Sequence, residues 1–109
     1  MQFNRVGEFL GVARITGPHH NLLQLRLGEG IAPVPVLECL PAIGKCTHTP
    51  LNTDKLVAAV IEGISSANKE FGTNHTATHI RYVRNDTPPE EVYGFLAFSI
   101  VRHLESNGF

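Results

Sequence analysis

From Asn21 to Leu27 the chain reads NLLQLRL, with Leu23, Leu25 and Leu27 on one parity and Leu22, Gln24 and Arg26 on the other. An alternation of period two sends successive side chains to opposite faces of a strand. The stretch Gly7 to Thr16, GEFLGVARIT, is also strand-like but alternates less cleanly. Phe9, Gly11, Ala13 and Ile15 fall on one side of it; Leu10, Val12, Arg14 and Thr16 fall on the other. Between the two runs, GPHHN at 17–21 reads as a hairpin loop, in which Pro18 presets φ and Gly17 and Asn21 tolerate unusual φ. His19 and His20 are then exposed turn residues. Pro33 to Leu40, PVPVLECL, predicts a third strand, and Pro35 confines it to a sheet edge because proline donates no ladder hydrogen bond. Ala77 to Arg84, ATHIRYVR, predicts a fourth, with Thr78, Ile80 and Tyr82 opposite His79, Arg81 and Val83.

Two segments carry helical periodicity instead. Leu56, Val57, Val60, Ile64, Ala67 and Phe71 recur every three or four residues and make one apolar stripe. Asn52 or Thr53 supplies the N-cap, Asp54 suits the positive end of the helix dipole, and Gly72 is the stop signal. Gly63 costs such a helix about 1 kcal/mol relative to alanine, so it either permits close packing on the sheet or is simply tolerated there. The second helix shows Val92, Leu96, Ile100 and Leu104 in one stripe, widened by Phe95 and Ser99. Thr87, Pro88 and Glu90 match a capping box with proline in the first turn, and Asn107-Gly108 ends the helix.

The order β-β-β-α-β-α predicts an α+β fold: a two-layer sandwich with a four-stranded, mostly antiparallel sheet and both helices on one face. The helices are expected to cover Leu23, Leu25, Leu27, Ile80 and Ile15. The opposite face then carries Leu10, Val12, Arg14, Thr16, Leu22, Gln24, Arg26, His79, Arg81 and Val83. A solvent-facing sheet normally alternates to polar residues. Aliphatic residues beside arginines resemble an interface more closely. The leading expectation is a homodimeric interaction module that uses Val12, Arg14, Leu22, Arg26, His79 and Arg81, and the arginines suit a small anionic ligand.

Composition narrows the partners. The chain has 109 residues, which predicts one domain over 1–109. Charged residues are 17% of the chain and the net charge is -1, so little repulsion holds copies apart. The absence of a basic excess argues against nucleic acid, as does the lack of aromatic residues on the open face so assigned. Two cysteines are too few for a disulfide framework. No leader-like apolar run follows Met1, and no stretch approaches the ~20 apolar residues that span a bilayer. A reducing cytoplasm with free thiols is expected, and no membrane partner. Cys39 reads as a small buried hydrophobe.

No pattern names a reaction. Six histidines are present, but Cys39 and Cys46 are too far apart for short metal spacing. His75 and His79 share a strand face about 13 Å apart, too far to share one ion. No metal and no cofactor are therefore expected; Gly28-Glu29-Gly30 lacks the helix start of a phosphate-binding loop. The long connection from Leu40 to Asn52 holds Lys45, Cys46 and His48, a conceivable thiol-imidazole pair. A small acid-base enzyme is the alternative to the interaction module, with His48, His79, Asp86 and Tyr93 as its candidate residues. Asp86 also fits a turn or capping role beside the second helix.

Overall fold

The computed structural model describes residues 1–16, 19–30, 34–44 and 50–109. It is α+β, with elements β1 (Gln2–Val6), β2 (Phe9–Thr16), β3 (His19–Glu29), β4 (Val36–Leu40), α1 (Thr53–Phe71), β5 (His75–Val83) and α2 (Val92–Ser106). The five strands form one mixed sheet in the order β1-β2-β3-β5-β4. All neighbours are antiparallel except β4 and β5, which are parallel and joined through α1. A parallel pair requires such a crossover. β1 adds a fifth strand to the four that the hydrophobic pattern predicts. Its segment QFNRV is mostly exposed at a sheet edge, so it has no apolar face to announce it.

Strand register decides which side chains share a face. Leu10 pairs with Leu25 and Val12 with Leu23, so both lie on the helix-covered side, 8% and 1% exposed. This reverses the expectation that Leu10 and Val12 line the open face. Arg14 and Thr16 share that helix-side parity, opposite Asn21 and His19, at the exposed end of β2. The open side of β2 instead bears Phe9, Gly11, Ala13 and Ile15. Both parities of β2 hold large apolar residues, so alternation alone could not choose between them. Ile15, expected under the helices, is 73% exposed. In β5 the register shifts opposite Arg26 and Leu27, a bulge that leaves both Ala77 and Ile80 buried on the helix side.

α1 begins and ends where its local signals place it. The Asn52 side chain accepts from the Lys55 N–H, and Gly72 adopts a left-handed φ of 66° while its N–H donates to the Asn68 carbonyl. α2 departs from its signals. It starts at Val92, and neither Thr87 nor Glu90 caps it. The Thr87 hydroxyl accepts from the His20 N–H, and Glu90 Oε1 accepts from the Asn52 N–H at 3.0 Å. That donor holds the Glu90 carboxyl below the usual carboxylate range. Two side chains suited to a local cap are thus used to join distant segments.

One core unites the layers. Leu10, Val12, Leu23, Leu25 and Ile80 of the sheet meet Leu56, Val60 and Ile64 of α1 and Tyr93, Leu96 and Ile100 of α2. Each fully buried aliphatic side chain contributes about 1.5–3 kcal/mol by removing its surface from water. Gly63 packs against α2, not the sheet. A Cβ there would collide with the Gly94 carbonyl oxygen, while one at Gly94 would stand 2.9 Å from the Ala59 carbonyl oxygen. The two glycines let the helix backbones approach closely. Phe95, expected on the packed stripe of α2, is 47% exposed, and Tyr93 takes the buried place. Cys39, expected buried, is exposed on β4. No helix among the described residues is long and apolar enough to cross a membrane.

Candidate functional site

The sheet face left open by the helices has an aromatic and cationic centre. The Arg81 guanidinium lies over the Phe9 ring, 3.7 Å from its centroid, and the His79 ring meets the same phenylalanine edge-on at 6.2 Å. A guanidinium over an aromatic face is attracted by the ring quadrupole. Glu38 Oε2 is 3.3 Å from Arg81 Nε, and Glu8 Oε2 is 2.9 Å from Arg26 Nη2. Each arginine that reaches this face therefore already has a carboxylate beside it. The His79 Nδ1 is 3.0 Å from the Thr78 hydroxyl. Around this centre, Val6 is 47% exposed, Ile15 73% and Val36 57%, with Leu22 half-buried. Phe9 changes the chemistry expected here: the face does carry an aromatic, brought there by the parity of β2.

A second cluster forms where β5 ends. Asp86 is 2% exposed and accepts from the Leu22 N–H at 2.8 Å and from the Tyr93 hydroxyl at 2.5 Å. His20 Nδ1 lies 3.2 Å from its other carboxylate oxygen. Thr87 continues the cluster: its N–H donates to the His20 carbonyl at 2.9 Å and its carbonyl accepts from the Asn21 side chain at 2.7 Å. Asp86 and Thr87 thus act toward β3 as a strand neighbour would, past the point where β5 leaves the sheet. Burial raises the Asp86 pKa above its ordinary value, against the opposing pull of the Leu22 N–H, Tyr93 and His20. Burial, followed by the Asp86 charge, pushes the Tyr93 hydroxyl upward as well.

The structure distributes the expected site residues unevenly. Asp86 and Tyr93 are in direct contact, whereas His79 sits apart on the open face with Phe9. Leu22, Arg26, His79 and Arg81 share the open face, while Val12 belongs to the core and Arg14 to the other parity of β2. Lys45, Cys46 and His48 lie outside the described residues, as do Gly17, Pro18 and Pro33. The local sequence places His20 among exposed turn residues and outside the acid-base set. It belongs to β3, paired with Ile15, and is only half-buried. Only His19 is exposed as expected. The signal that identifies His20 is its pairing with Asp86, which is 66 residues away in sequence. No period or motif spans that distance.

The groove with the largest described volume, about 400 Å³, is lined by residues of α1 and α2 and by Glu91, and not by His20, His79, Asp86 or Tyr93. No group of three or more metal-ligating side chains comes together among the described residues. Comparison with protein-family models, with curated proteins and with solved structures finds no match.

Proposed function

We propose that this chain is a self-associating interaction module in which two copies meet through the open sheet face. The observation that carries this reading is the exposed aliphatic rim of that face, above all Ile15 at 73% exposure. Side chains of this kind gain about 25 cal/mol for each Å² of apolar surface that a partner removes from water. The charged centre favours a second copy over a charged ligand. Arg26 and Arg81 each stand beside a glutamate, so the face is close to neutral, and a copy of itself meets no net repulsion. The same ion pairs compete with a small anion for the arginines. The acid-base alternative is less well supported, because Asp86 and Tyr93 are 2% and 0% exposed and so out of a substrate's reach. A substrate needs a concave site with convergent polar groups.

The decisive experiment is Ile15→Asp, measured by size-exclusion chromatography with light scattering. Ile15 is exposed, so the variant should keep its fold to within about 0.5 kcal/mol. The wild type is expected to have twice the chain mass and the variant the mass of one chain. A variant with the wild-type mass, or a monomeric wild type, refutes the proposal. Val12→Asp is unsuitable as a probe, because it places a charge in the core and should unfold the chain.

A further inference from the structure

The outer surface of the two helices holds a groove of about 400 Å³, within the range of small-molecule sites. Gly63 and Gly94 lie where the helices come closest, Phe95 and Phe98 add aromatic surface, and Glu62 and Glu91 are exposed beside them. No lysine, arginine or histidine lines it. Neither glutamate joins an ion pair among the described residues. Their helical neighbours do not supply a counter-charge either. The positions three and four residues from Glu62 hold Ala58, Ala59, Ser65 and Ser66; those after Glu91 hold Gly94 and Phe95.

We infer that this groove binds a small organic cation, an ammonium group carried on an apolar body. Features of the groove match both parts of such a ligand. The two carboxylates attract its charge, and the half-exposed Phe95 adds aromatic surface of the kind that attracts cations. The apolar body removes phenylalanine surface from water. Glycine at 63 and 94 leaves the seam between the helices without side chains at that point. A neutral apolar ligand would leave the carboxylates unused, and an anion would be repelled by both.

The test is a titration of the uniformly ¹⁵N-labelled chain with phenylethylammonium chloride, followed by amide chemical shifts, with 2-phenylethanol as the uncharged counterpart. Saturable shifts are expected at Gly63, Ser66, Gly94, Phe95 and Phe98 with the ammonium and not with the alcohol at equal concentration. Glu62→Gln and Glu91→Gln alter exposed side chains, and their spectra report directly that they remain folded. Each should weaken binding about two- to fivefold, the loss expected for one exposed charge pair. Ile15→Asp should bind as the wild type does, because the groove lies on the helical layer; the outcome is therefore independent of self-association. Equal shifts with the alcohol, shifts centred elsewhere, or glutamine variants that bind as tightly as the wild type each overturn the inference.

Discussion

Gly63→Ala sets two effects of opposite sign against each other. In an exposed helix interior the change should stabilise by about 1 kcal/mol, because alanine loses less backbone entropy on folding. At Gly63 the added methyl points into α2. Besides the collision with the Gly94 carbonyl oxygen, it would stand 2.9 Å from the Gly94 carbonyl carbon and 3.0 Å from its Cα. These are helix backbone atoms, which cannot rotate aside as a side-chain tip can. Relief requires α1 and α2 to move apart, and that loosens Leu56, Val60, Tyr93 and Leu96, each fully buried. Overpacking of this kind costs about 1–3 kcal/mol, and a backbone collision belongs at the upper end. The net expectation is a loss of about 2 kcal/mol, or about 8–15 °C in Tm for a chain of this size. Urea unfolding followed by far-ultraviolet circular dichroism measures it, with Ser65→Ala on the exposed side of α1 as a reference expected to gain a few tenths of a kcal/mol. If Gly63→Ala is stabilised by about 1 kcal/mol, the close helix contact is refuted.

Two further predictions concern Asp86. Asp86→Ala removes the acceptor of the part-buried Leu22 N–H and the buried Tyr93 hydroxyl, and orphaning such donors costs about 1–3 kcal/mol each; urea unfolding should show a loss of about 3 kcal/mol, and a loss under about 1 kcal/mol contradicts the bonding described. Because burial raises the Asp86 pKa in the fold, its contribution is fully present below the ordinary carboxylate value of about 4 and is lost as pH rises through the raised value. Wild-type stability relative to Asp86→Asn should therefore fall as pH is raised from about 4 toward neutrality, and parallel pH profiles for the two proteins would rule this out.

Features written in short-range sequence were legible. The capped stripe of α1 needs only residues within one turn of each other, and Asn52 and Gly72 act as their neighbours imply. The leucine face of β3 is equally local, since one parity holds Leu23 and Leu25 and both are fully buried. The α2 start was not legible. Thr87 and Glu90 have the right residue types for a local capping box, but their side chains bond to His20 and Asn52. β2 failed for a different reason: Leu10 and Val12 compete with Phe9 and Ile15 for the core, and both sets are apolar.

For the candidate sites the division is sharper. Leu22, Arg26, His79 and Arg81 could be grouped from strand parity alone, and pairing of β3 with β5 brings them together. Phe9 reached the same face only because Leu10 and Val12 found Leu25 and Leu23. His20 became a partner of Asp86 only when β3 and the end of β5 were brought side by side.

The sequence by itself determined the two helical stretches and four of the five strands, the ends of α1 and the apolar face of β3. These depend on backbone preferences and side-chain periods that act over a few residues. Tertiary structure alone decided the facing of β2, the start of α2, the burial of Asp86 and the contact of Gly63 with Gly94. Each of those rests on partners far apart in the chain: Asp86 receives its backbone hydrogen bond from a residue 64 positions away. Such a bond is formed because a buried carboxylate must find donors, and only the folded chain determines which donors are near.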